Sequence, residues 1–197
     1  MSTPRACSDG FQKRSAATAI YFAPMTIQPI ITLGDPRLRL KGEHVDSFGR
    51  YLHELLDDLA QTMRDAPGVG LAAPQIGVAL QACVVEVDGK LHELVNPQVV
   101  RADGDDRDLE GCLSLPGYVA YVTRRERVWV VAQNRHGRGI KVNGSGLLSR
   151  ALQHELDHLQ GKLYIDYLDS MEELIPVAKL EDEVGTEAET EALATLA

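Results

Sequence analysis

Residues 50–64 place Leu52, Leu55, Leu56, Leu59 and Met63 at intervals of three and four, with acidic residues and Gln61 on the other face. That spacing predicts an amphipathic helix packed on something. Ala66-Pro67-Gly68 ends it. The pattern then shortens to strand-like runs. Gln81 to Val87 and Leu91 to Val95 flank Asp88-Gly89, a hairpin signal. Tyr118 to Thr123, Val128 to Ala132 and Gly139 to Val142 are further strands, and residues 103–108 read as a charged loop. A second helix follows Gly144-Ser145-Gly146, with Leu148, Leu152, Leu156 and Leu159 as its stripe and Gly161 at the expected stop. Leu163 to Leu168 reads as a closing strand, and the chain from Met171 on as a frayed helix or no regular structure. There is no internal repeat. The order helix, several short strands, helix predicts an α+β domain with mostly antiparallel pairing around the second helix.

The globular pattern begins near Met25. Residues 1–24 are rich in Ser, Ala and Thr and carry three basic residues against one acidic. They read as a disordered extension before a catalytic domain over 25–170, with Met25 as the natural start. A transit peptide is the alternative, which would make the location organellar. Residues 171–197 form an acidic tail.

Composition narrows the function classes. The 197 residues carry 29 acidic and 20 basic side chains, a net charge of −9. Such a surface attracts neither nucleic acid nor an anionic membrane as its main partner. No run of 18 apolar residues is present. The cysteines Cys7, Cys83 and Cys112 are too few and too uneven for a disulfide framework, and suit a reducing compartment such as the cytoplasm.

The chemistry sits on the second helix. Residues 154–158 read His-Glu-Leu-Asp-His. Histidines four apart lie one turn apart on one face, so both imidazoles reach one metal ion. Glu155 beside them reaches a water on that metal and accepts its proton. A catalytic site needs a third ligand. A metzincin would have a histidine six residues past His158, where this chain has Tyr164. Glu172, Glu173 and Glu181 are downstream candidates, and Cys112, in Glu110-Gly111-Cys112-Leu113-Ser114-Leu115-Pro116, is the upstream one. Cys83, between Ala82 and Val84, reads as a buried small hydrophobe.

Three segments carry a resemblance. Gly68-Val69-Gly70-Leu71-Ala72-Ala73-Pro74-Gln75, Glu110-Gly111-Cys112-Leu113-Ser114 and Gln153-His154-Glu155-Leu156-Asp157-His158 are similar to the three signature motifs of the peptide deformylases, in order, within a similarity running from about Met25 to Leu168. The resemblance implies a metal-dependent hydrolase that removes the formyl group from the N-terminal formylmethionine of new polypeptides. It implies Cys112, His154 and His158 as metal ligands, and one divalent ion per chain. Fe(II) is the implied physiological ion, with Zn(II), Ni(II) or Co(II) as substitutes. It assigns proton transfer to Glu155, and oxyanion binding to the Gln75 amide and the Leu113 backbone N–H. The Gly70 backbone lies beside the substrate, and Val69, Gly111 and Leu147 help to bind it. Arg150 and Ala151 are also placed around the methionine pocket, though Arg150 by itself reads as a surface residue. The implied partners are formylmethionyl nascent peptides and, transiently, the ribosome. Asp157 is expected to pair with Arg124 or Arg125 and hold the ligand helix. His44, His53, His92 and His136 show no ligand spacing. A metallopeptidase drawing a ligand from the tail, and a non-catalytic binding homologue, are the competing readings.

Overall fold

The computed structural model describes residues 26–183, with side chains to residue 180. The proposed extension over residues 1–24 and the end of the acidic tail lie outside the described residues.

Helix α1 (Arg50–Asp65) buries Leu52, Leu55, Leu56, Leu59 and Met63, the stripe its spacing predicts. Strand β1 (Gly70–Ala72) follows, then β2 (Ala82–Val87) and β3 (Lys90–Asp103). The β2–β3 turn holds Asp88 at φ 53° and Gly89 at φ 70°. Both central residues of a tight hairpin turn need positive φ, which Asp and Gly tolerate. β4 (Asp106–Gly111), β5 (Tyr118–Arg124), β6 (Arg127–Gln133) and β7 (Gly139–Ser145) lead into helix α2 (Gly146–Leu159). The chain closes with β8 (Ile175–Pro176) and the short α3 (Val177–Glu183).

All the pairs between the described strands are antiparallel. One sheet has the order β1-β2-β3-β6-β7 and a smaller one the order β4-β5-β8. The α+β class read from the sequence is the class observed. β2 is buried on both faces because a helix packs on each. Ala82 and Val84 face α1, and Cys83 and Val85 face the cluster of Leu152 and Leu159 on α2. Period-two alternation along one strand therefore feeds two cores.

Helix α2 stops where glycine permits. The Gly161 N–H donates to His158 O at 3.1 Å and the Lys162 N–H to Asp157 O at 2.9 Å. This paired closure needs a left-handed residue, and Gly161 has φ 72°. An added Cβ there would run into the Arg39 backbone.

Several expectations fail locally. β3 runs on to Asp103 instead of stopping at Val95, because β6 pairs with its second half, and past Met171 Ile175–Pro176 form a strand because β5 pairs with them. Residues 103–108 are not one loop: Asp103 ends β3 and Asp106 to Asp108 begin β4, an edge strand exposed at Arg107 and Asp108, so its charge hides its conformation. Leu163 to Leu168 is not a strand but carries a 3-10 turn over Tyr164–Tyr167. There the Asp166 carboxylate accepts from the Leu163 N–H at 3.0 Å, and Tyr164 is buried.

Candidate metal and catalytic site

The site forms where α2 crosses β1 and the β4–β5 sheet. One helix face carries Leu147, Arg150, Ala151, His154 and His158, spaced by threes and fours. Strand β4 brings Glu110 and Gly111, and Cys112 follows at the start of a tight turn in which Leu115 N–H donates to Cys112 O at 2.8 Å.

Cys112, His154 and His158 converge so that their ligand atoms all lie within 4.8 Å of one another. Cys112 Sγ is 3.3 Å from His158 Nε2, which is 3.1 Å from His154 Nε2. A tetrahedral ion with bonds of roughly 2.0–2.3 Å has ligand–ligand edges of about 3.3–3.7 Å, so the set needs little adjustment to hold one. The donor chemistry fits as well: a thiolate and two imidazoles suit a divalent transition ion. Among the described residues, the buried side-chain atoms without a hydrogen-bond partner, Glu155 Oε2 and His158 Nδ1, both belong to this centre. Glu172 and Glu173 are exposed in a separate 3-10 turn and lie outside the group, and the Glu181 side chain is outside the described residues.

The electrostatics set the two histidines apart. Burial, reinforced by His154, holds His158 well below the usual imidazole range, so it presents a neutral lone pair. Burial opposes charge on His154 too, but Cys112 and Glu110 outweigh it and raise its affinity for a proton. Its Nδ1 donates to Glu110 Oε1 at 2.7 Å, which turns Nε2 toward His158. Glu110 is itself fixed by Arg124, with Nε to Oε2 at 3.0 Å and Nη2 to Oε1 at 2.6 Å. Burial resists ionisation of Glu110, but the Arg124 and His154 hydrogen bonds win and hold its carboxyl well below the ordinary range. Arg124 also donates to Asp157 at 2.6 Å, so the partner expected for Asp157 is Arg124 and not Arg125.

Glu155 is 3% exposed, and burial raises its carboxyl to about 7. It packs against Gly70: a Cβ there would sit 2.8 Å from Glu155 Cδ. Gln75 is buried, its Oε1 accepting from the Ala72 N–H at 2.8 Å and its Nε2 directed at Ser114 Oγ (3.2 Å) and Cys112 Sγ (3.7 Å). The Leu113 backbone N–H donates to no described residue.

A cavity of about 40 Å³ opens beside these groups, lined by Val69, Gly70, Gly111, Leu147, Arg150 and Ala151 among others. At roughly 10–15 Å³ per water-sized sphere, it takes about three or four heavy atoms. β1 lies at the edge of its sheet, with its three residues buried and the Ala72 N–H taken by Gln75 Oε1. A larger groove of about 610 Å³ along β7 and the β2–β3 turn shares only Leu147 with this cavity and holds none of the ligand residues.

Sequence reasoning misplaced one residue here. Arg150, read as a surface side chain, is 4% exposed. Its guanidinium donates to Glu110 Oε2, Val122 O and Asp106. The helix spacing itself carried the signal, because Leu147, Arg150 and His154 share a face. The weight of Glu110 was likewise visible in its i, i+2 relation to Cys112.

Comparison with known proteins points to one family. The family model described as Polypeptide deformylase matches residues 27–174. A peptide deformylase of Heliobacterium modesticaldum is 47% identical over 146 residues, covering 74% of this chain and 97% of that protein. A peptide deformylase structure from Legionella pneumophila is 43% identical with a TM-score of 0.73, covering 75% of this chain and 89% of that one. A Met-Ala-Ser-bound peptide deformylase from Acinetobacter baumannii is 27% identical with a TM-score of 0.71, covering 73% and 99%.

Proposed function

The chain belongs to the peptide deformylase family, and from that premise we propose how its own residues carry out the reaction. The enzyme hydrolyses the formyl amide of N-formylmethionyl polypeptides, releasing formate and a free N-terminus. The observation that carries the assignment of roles is the convergence of Cys112, His154 and His158 beside a buried, unpartnered Glu155 carboxylate.

Cys112, His154 and His158 hold a divalent cation, which when bound acidifies water and polarises the formyl carbonyl. We take Fe(II) as the working ion, with Zn(II), Ni(II) or Co(II) as substitutes, since a Cys/His/His set accommodates each. Glu155 orients a water and takes one of its protons as the oxygen attacks the formyl carbon. Its raised carboxyl, near 7, suits a group that must both accept and return a proton at neutral pH. The Leu113 N–H and Gln75 Nε2 face the carbonyl oxygen as it gains negative charge. The carbon–nitrogen bond then breaks, and Glu155 passes its proton to the departing amine.

The methionine side chain enters the cavity between Val69, Leu147 and Ala151. The peptide runs along the backbone edge at Gly70 and past Gly111, a mode that reads main chain and tolerates varied sequences downstream. No helix among the described residues is long and apolar enough to cross a membrane. We place the enzyme in the cytoplasm, meeting nascent chains in transient contact with the ribosome.

The test is formate release from formyl-Met-Ala-Ser, with acetyl-Met-Ala-Ser as control and bound metal quantified. The reading expects release from the formyl peptide alone, and its loss in Glu155→Ala with metal retained. Near-normal turnover by metal-loaded Glu155→Ala would refute the role of Glu155. Full metal binding by Cys112→Ala would refute the ligand set.

A further inference from the structure

The groove of about 610 Å³ meets the smaller cavity at Leu147, which lines both. One wall is the β2–β3 turn and the other is β7, which ends its sheet. At the β6–β7 turn the Asn134 N–H donates to Arg138 O at 2.9 Å. Hydrogen-bonded and unbonded pairs alternate along an antiparallel ladder. Lys141, opposite Val131, and Asn143, opposite Trp129, therefore turn their main-chain N–H and C=O groups away from β6, toward the groove they line. No described strand takes these groups up.

The groove also lies where a substrate leaves the centre. Gly70 stands opposite Val85, and Val69 O accepts from the Glu86 N–H at 2.8 Å. β2 thus continues past Gly70 toward Val69 and on to the turn at Asp88. A peptide with its formyl end at Gln75 and Glu155 that passes Gly70 runs in the same direction as β2. Extended chain advances about 3.3 Å per residue, so a peptide with its methionine at Gly70 comes level with Val87 about two residues later and reaches the groove at about its fourth residue.

The charge of the groove opposes that of the chain. The net charge is −9, yet the charged residues of the groove are Lys90 on one wall and Lys141 on the other, against Asp88. Both lysines are exposed, and neither forms an ion pair with a described residue. Burial, with Lys90 beside it, holds His92 below the usual imidazole range, so it stays neutral at pH 7.

We propose that this groove docks the segment of the nascent polypeptide beyond its third residue, as an extended strand on the β7 edge, and favours acidic side chains there through Lys90 and Lys141. The occupant rests on the deformylase reading above. Continuity at Leu147 and the direction of exit select the substrate chain, and the lysines select its charge. Because exposed charge pairs are weak, the preference is graded and leaves other sequences as substrates.

The test measures formate release from formyl-Met-Ala-Ser-Gly-Glu-Glu and formyl-Met-Ala-Ser-Gly-Lys-Lys. Each kcat/KM is referred to formyl-Met-Ala-Ser in the same protein, which cancels any change at the reacting centre. The net charge alone would draw the lysine peptide to the enzyme. The groove reverses that sign: the glutamate peptide is expected to lead by about fivefold at low salt. The lead should vanish near about 1 M salt, where the Debye length is about 3 Å. The double variant Lys90→Glu/Lys141→Glu is expected to invert the order, and Lys90→Gln/Lys141→Gln to remove the lead. N-methylation of the two glutamate amides is expected to abolish the lead, and an unchanged lead would overturn the pairing with β7. Equal or lysine-favouring rates in the wild type would overturn the proposal, as would a wild-type ratio in the charge-reversed variant. Equal peptide rates together with gel retardation of a labelled RNA hairpin, lost in the charge-reversed variant, would assign the groove to nucleic acid instead. No release from formyl-Met-Ala-Ser by the wild type would remove the deformylase reading and the occupant with it.

Discussion

Gly70→Ala tests the centre of the site through a single methyl group. The added Cβ would stand 2.8 Å from Glu155 Cδ and 2.9 Å from Glu155 Cγ. Carbons rest about 3.5–4.0 Å apart, so the Glu155 side chain must yield by roughly 0.6–1.2 Å. Gly70 lies in β1, paired with Val85, and its backbone is extended, so alanine meets no conformational penalty there. The clash is the whole effect. A reacting group displaced by about 1 Å costs on the order of 100-fold, or about 2.7 kcal/mol of barrier. Overpacking of this kind costs roughly 1–3 kcal/mol of stability. The expected outcome is a protein that binds one metal per chain, since no ligand is touched, with kcat on formyl-Met-Ala-Ser down about 100-fold. Glu155→Ala removes the atoms that obstruct the methyl group, so urea melts of the two single variants and the double variant should reveal a coupling of about 1–2 kcal/mol. Turnover by Gly70→Ala within about threefold of wild type, or additive stability losses in the cycle, would refute the argument that Glu155 is held against Gly70.

Other consequences follow from the same contacts. Arg124→Ala leaves Glu110 short of two hydrogen bonds and Asp157 short of one; urea denaturation should show a loss of about 3–5 kcal/mol, as for breaking one side of a buried pair. Removing the metal with EDTA should lower the melting temperature by roughly 5–10 °C, because an ion at a hundredfold excess over its Kd contributes about 2.7 kcal/mol. The same treatment should expose Cys112 to iodoacetamide in peptide mapping, whereas Cys83, whose thiol is pushed up by burial, should stay unlabelled in both forms. Burial opposes the charge on Asp166, but the Arg39 hydrogen bond prevails and lowers its carboxyl below the ordinary 3.8. Its contribution to stability is therefore present above about pH 4 and lost as pH falls through the depressed value; Asp166→Asn should flatten the acid limb of the stability curve.

The elements that were legible in the chain share a property: their sequence neighbours suffice to explain them. α1 announces itself by five apolar residues at helical spacing, and the β2–β3 hairpin by Asp88-Gly89, the pair that its turn requires. Helix α2 shows both imidazoles four apart, and its stop is marked by Gly161. The elements that were illegible depend on distant partners. Asp106 to Asp108 form a strand because β5 supplies the pairing, although charge dominates their composition. Tyr164–Tyr167 turns instead of extending because the Asp166 carboxylate caps the Leu163 N–H and Tyr164 fills a buried position.

The candidate site divides in the same way. The sequence by itself determined the donor types and their local order: two imidazoles one turn apart, a carboxylate between them, and a cysteine beside a glycine in a turn. These follow from helix and strand periodicity, which act over a few residues. Only the tertiary structure decided which carboxylate orients His154, which arginine pairs with Asp157, and that Arg150 is buried. Each of those contacts joins residues 33 to 44 positions apart. A buried ion pair is settled by which charges desolvate together when α2 packs on the β4–β5 sheet, and no local pattern encodes that meeting.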